Sequence, residues 1–135
     1  MKTAKEVQTE IMALLRGTTL IDSTISGILY RSGYRPRDSK KEDAVVIFTT
    51  GLPGQIQTGV VAINIYVPDI PLANGLMVEN GARCDTLEKA AQAWVDTLTA
   101  HRSDYIFEQQ QTIYTEADPD IQQHFIVVKL KYKFY

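Results

Sequence analysis

The chain has 135 residues, 44% of them hydrophobic and 22% charged, enough for one domain that buries roughly two-thirds of its unfolded surface without disulfides or metal. A formal charge of −2 excludes a global attraction to nucleic acid or anionic lipid, and the lone Cys84 excludes an internal disulfide and points to a reducing compartment. The only early apolar patch, Ile11 to Leu15, is too short for a signal-peptide core, and Val60 to Val67 has less than half the length of a membrane span.

Thr3 and Glu6 have capping-box spacing, which predicts a helix over Ala4 to Arg16. Val7, Ile11, Leu14 and Leu15 give it one apolar stripe, and Gly17 is placed to stop it in a left-handed conformation. Thr18 to Ser26 is turn-forming, and Ile28 to Tyr30 reads as a brief strand. From Arg31 to Asp43 a loop is expected, carrying Arg31, Arg35, Arg37, Lys40 and Lys41 beside Gly33 and Pro36.

Ala44 to Thr50 is β-branched and apolar on both alternating faces, as in an interior strand. After the break Gly51 to Gly54, a second strand over Gln57 to Val67 completes a hairpin. Pro68 ends it, and a long loop to Cys84 follows, with Asn74-Gly75 and Asn80-Gly81 inside.

Asp85 and Glu88 repeat the capping-box spacing, predicting a helix over Thr86 to Ala100. Its face of Leu87, Ala90, Ala91, Trp94, Val95 and Leu98 is expected on the sheet, with His101 and Arg102 at the negative end of its dipole. Tyr105 to Thr115 and His124 to Tyr135 read as a closing hairpin around Glu116 to Asp120. In the last strand Ile126, Val128, Leu130, Tyr132 and Phe134 oppose Lys129, Lys131 and Lys133. The expected fold is a single α+β domain over residues 1–135: a four-stranded, mainly antiparallel sheet, two helices on one face and long connecting loops.

No HExxH, CxxC, EF-hand, GxGxxG or P-loop spacing occurs, so no catalytic residue, metal or cofactor is assigned. His101 and His124 read as surface or capping residues, and Cys84 as a packed filler beside a helix start. Asp118 with Asp120, and Asp69 with Glu79, have acid–base potential, but the first pair fits turn chemistry better. A pocket formed by Asp69, Glu79, Cys84 and His101 would favour an enzyme or small-ligand module. The basic segment raises contact with nucleic acid, although Asp38, Glu42 and Asp43 interrupt it and favour a solvated loop. The lysine stripe suits an exposed strand face, and Gln109 to Gln111 suit either an ordinary exposed face or a wet subunit interface.

The order helix, basic loop, two strands, long loop, amphipathic helix, two strands resembles the small tail-completion or tail-terminator proteins of tailed bacteriophages and prophages. The residues that carry the comparison are the short helix ending at Arg16-Gly17, the strand Gly59 to Val67, the helix Thr86 to Trp94 and the paired terminal strands. The resemblance implies no catalysis and no cofactor. It implies a homo-oligomeric ring, commonly of six subunits, that caps the tail tube and meets the head connector, in the bacterial cytoplasm during assembly and then in the virion tail. The candidate interface residues come from the charged and glutamine-bearing segments, Arg31, Arg35, Arg37, Lys40, Lys41, Gln109, Gln111, Lys129, Lys131 and Lys133, and on the resemblance the Arg31 to Asp43 and Pro68 to Cys84 loops, which match no family feature, would project toward neighbouring subunits or the tube.

Overall fold

The first helix starts where the Thr3 hydroxyl accepts the Glu6 N–H at 3.3 Å, and it stops at Gly17, whose φ of +80° suits a residue with no Cβ. In the computed structural model, which describes residues 1–100 and 104–134 apart from the side chains of Thr99 and Ala100, this helix is α1, Ala4–Leu15. After a π-helical turn at Leu20–Thr24 come β1 (Leu29–Arg31), β2 (Ala44–Leu52) and β3 (Gln57–Pro68). A small ribbon, β4 (Ile70–Pro71) with β5 (Met77–Val78), precedes α2 (Gly81–Ala100). Then β6 (Tyr105–Gln109), β7 (Tyr114–Asp118), a 3-10 turn at Pro119–Ile121 and β8 (Gln123–Phe134) complete the order.

The α+β class and the β2–β3 hairpin are as expected, but the main sheet has six strands rather than four. Its order is β1-β2-β3-β8-β6, with β7 also on β8, and only the β1–β2 pairing is parallel. Arg31, read as the start of a loop, closes β1. The stretch read as one strand from Tyr105 to Thr115 is two, pairing with successive halves of β8. The break falls where the Gln109 side chain donates to the Gln111 carbonyl at 2.9 Å, turning the chain out of the ladder.

Helix α2 begins five residues before the expected Thr86. The Asn80 side chain accepts the Arg83 N–H at 3.2 Å and its carbonyl accepts from Cys84 at 2.9 Å, so the Asn-Gly pair read as a turn is a helix cap. Asp85 instead pairs with Lys89 at 2.9 Å along the exposed face. The roles expected of His101, Arg102 and Tyr135 lie outside the described residues.

Helix α1 lies against β1 and β2, while α2 contacts β3, β6, β7 and β8. Val7, Ile11, Leu87 and Trp94 from the helices form one core with Val46, Ile63, Ile126 and Leu130 from the sheet. This is the alternation anticipated for β8, apolar inward and lysine outward.

A bulge lies between Phe48 and Thr50, where Phe48 opposes Val61 and Thr50 opposes Val60. The extra residue, Thr49, reverses which face the following side chains take. Gly51 then opposes Gly59 on the core side, and Thr50 and Leu52 turn to the open face. Tyr132, opposite Gly59 on β8, fills the space the glycines leave: a Cβ at Gly59 would come within 2.5 Å of its hydroxyl oxygen.

Candidate functional site

Among the described residues no group of three or more His, Cys, Asp and Glu side chains is placed to hold a metal ion. Cys84 is buried, and its thiol is pushed up to about 12 by that burial and by the charge of Glu79, so it stays protonated and a poor nucleophile. Asp69 does not converge with it. Its carboxylate meets His124 Nδ1 at 2.7 Å, a half-buried pair joining residues 55 apart in sequence. Neither residue's own surroundings in the sequence announce that pair; it exists because β3 and β8 are in register to their ends, Val67 opposite His124. Asp118 immediately precedes the 3-10 turn and Asp120 lies within it, in keeping with turn chemistry.

The basic segment does not project as a unit. Its two ends and one cation are bound into the fold. Asp43, with a side chain 1% exposed, accepts Arg35 Nε at 3.0 Å, the Ser39 hydroxyl at 2.6 Å and the Ile28 N–H at 3.0 Å. Arg35 also donates to Gln123 at 2.9 Å and stacks over the Tyr66 ring at 4.1 Å. Its guanidinium thus closes the sheet's outer surface instead of facing solvent. Arg31 donates to the Thr9 hydroxyl at 2.8 Å. Arg37, Lys40 and Lys41 stay exposed, the first two beside Asp120 and Gln122, a mixture of charges that dilutes a phosphate-binding reading.

Gln109 is likewise turned inward. Its amide exchanges two hydrogen bonds with Gln92 of α2, at 2.9 and 3.1 Å, which fixes the helix to the sheet edge. Lys129, Lys131 and Lys133 do share one face of β8, as the alternation requires.

Around the last two lysines that face becomes a trough. Strand register sets two rows of side chains across four strands: Leu52, Thr58, Lys133 and Ile106 in one, Thr50, Val60, Lys131 and Glu108 in the other. Together they line a hollow of about 310 Å³. Leu52 is 64% exposed and Ile106 52%. No hydrogen bond or ion pair engages the side-chain amine of Lys131 or Lys133 among the described residues. Sequence reading found the lysines but not the apolar floor, because Leu52 reaches it only through the bulge at Thr49.

At the far end of the sheet, the segment read as a long loop holds the β4–β5 ribbon. All eight residues from Ile70 to Met77 are exposed, among them Ile70, Leu72, Leu76 and Met77. An exposed apolar cluster of this kind is characteristic of an interaction surface. No family model matches the chain, and no curated protein matches it. Among the described residues no helix is long and apolar enough to cross a membrane.

Proposed function

We propose that this protein is a structural assembly subunit whose work is to pack against copies of itself, in the manner of the phage tail-terminator and tail-completion proteins its element order resembles. The observation that carries the reading is the exposure of large apolar side chains near both ends of β3, Leu52 and Ile106 beside its first residues and Leu72 and Leu76 in the separate ribbon that follows it. Two such ends on one rigid frame are what a subunit needs to contact two neighbours at once. The order of helix, β2–β3 hairpin, α2 and terminal strands supports the same reading. On this view the partners are further copies in a ring, with a tail tube on one side and a head connector on the other.

Sedimentation velocity across a wide concentration range tests the proposal, with negative-stain microscopy of the largest species. The expected result is growth into a closed ring of defined size. A strict monomer at the highest concentration, both alone and mixed with a phage tail-tube protein, would overturn it.

A further inference from the structure

We infer, building on that assembly role, that the subunits join head to tail, the β4–β5 ribbon of one copy seated in the β2–β3–β8–β6 trough of the next. The two surfaces are complementary in form. One is a projecting ribbon with Leu72 48% and Leu76 62% exposed; the other is an open hollow floored by Leu52, Val60 and Ile106.

A subunit cannot satisfy its own trough. The ribbon begins just past Pro68, whereas the trough lies at Thr58 to Val60, and the ten residues of strand from Gly59 to Pro68 separate them by about 30 Å. Each copy therefore offers at one end what the other end of a neighbour lacks, which is the definition of a heterologous contact and closes into a ring when the rotation permits.

Charge selects the same occupant. From Ile70 to Val78 the ribbon carries no charged residue, so it brings no ion into an apolar floor. Glu79 follows it directly, exposed although its carboxylate also bonds the Cys84 thiol, and the trough rim sets Lys131 and Lys133 against a single carboxylate, Glu108 opposite Lys131. A docked ribbon can set Glu79 against these lysines.

The ribbon is also ordered in advance. Leu72 donates to the Leu76 carbonyl at 2.7 Å, Gly75 to the Leu72 carbonyl at 2.9 Å, and the Asn74 side chain accepts the Leu76 N–H at 3.1 Å. Its base is held by the Asp69–His124 pair and by the Asp69 N–H on the Gln122 carbonyl at 3.1 Å. Little chain entropy is left to lose on docking. A ribbon this short supplies only part of the roughly 1,200 Å² of a stable pairwise interface, so single contacts are weak and the closed ring, with both ends used, is the stable species.

The test uses two variants at exposed positions, Leu72→Asp/Leu76→Asp in the ribbon and Ile106→Asp in the trough, each checked for an unchanged circular dichroism spectrum and melting profile. Expected is loss of every species above monomer for each variant alone, and a one-to-one heterodimer, with nothing larger, when they are mixed at the high concentration that one weak contact requires. The charge pair gives a milder second probe: Lys131→Glu/Lys133→Glu should weaken assembly at least about tenfold, and mixing with Glu79→Lys should restore association. Ring formation by the variants as by the parent chain, or variants that stay monomeric on mixing, would overturn the head-to-tail contact while leaving self-assembly standing. A monomeric parent chain would overturn both.

Discussion

Arg83, in the first turn of α2, grips Glu42 at the start of β2 through two hydrogen bonds, Nε to Oε2 at 2.6 Å and a terminal nitrogen to Oε1 at 2.8 Å. The same guanidinium donates to the Thr24 carbonyl, so one side chain joins the π-helical turn, the end of the basic segment and the helix. Glu42 also accepts the Ser26 N–H at 3.1 Å, and its own hydrogen bonds and charge raise the Arg83 pKa further. Arg83→Ala leaves a mostly buried carboxylate and a carbonyl short of partners, and is expected to cost about 1–3 kcal/mol in urea denaturation. A double-mutant cycle with Glu42→Gln should show the two losses to be strongly non-additive; additive losses would mean that the grip contributes nothing as a pair.

Gly59→Ala and Gly81→Ala should differ sharply in outcome. At Gly59 a Cβ falls 2.4 Å from the Thr50 carbonyl oxygen and 2.6 Å from Tyr132 Cζ, whereas at Gly81 nothing lies within 4 Å. The first is expected to lose about 1–3 kcal/mol by overpacking and the second to be neutral or to gain up to about 1 kcal/mol from helix propensity. Tyr132→Phe removes a buried hydroxyl that makes no well-formed hydrogen bond among the described residues and has only Gln57 as a weak neighbour, so its thermal midpoint should change little.

Cys84 should resist alkylation at about pH 8 while the urea-unfolded chain reacts freely, because only the thiolate attacks. Equal labelling rates in the two states would refute the burial argument. The linkage has a definite sign: the folded thiol titrates near 12, above its unfolded value, so its stabilising contribution is complete below about pH 8.5 and declines as pH rises toward 12. Burial raises Tyr105 and Tyr132 as well, so in Cys84→Ala the alkaline loss should begin later, at the phenols' onset near pH 10.

Trp94→Ala should cost about 3 kcal/mol, the lower end for a buried tryptophan, measured by denaturation at unchanged m-value. The ring is 6% exposed yet borders an open groove of about 560 Å³ with Gly17 and Thr19, so water can enter part of the space it leaves.

Much of the frame was legible in the residues. Period-two alternation in β8 and the apolar stripes of α1 and α2 depend on which face is wet, a choice each segment encodes for itself. The boundary of α2 was not, since Asp85 and Asn80 both have cap chemistry and only tertiary placement of the ribbon decides between them. The fate of the charged loop was hidden for a related reason. Arg35 and Arg37 look alike in the chain, but only Arg35 lies over Tyr66 and beside Asp43 and Gln123, and Gln123 is 88 residues away.

The sequence by itself determined the α+β class, the central hairpin, the two helices and the lysine face of the last strand, because hydrophobic periodicity and capping act within a few residues. Strand count, the Arg83–Glu42 and His124–Asp69 pairs, and the presence of an open trough near one end of β3 and an exposed apolar ribbon past the other were decided only by the tertiary structure. Register across four strands and a single bulge determine which side chains become neighbours, and no local window contains that information.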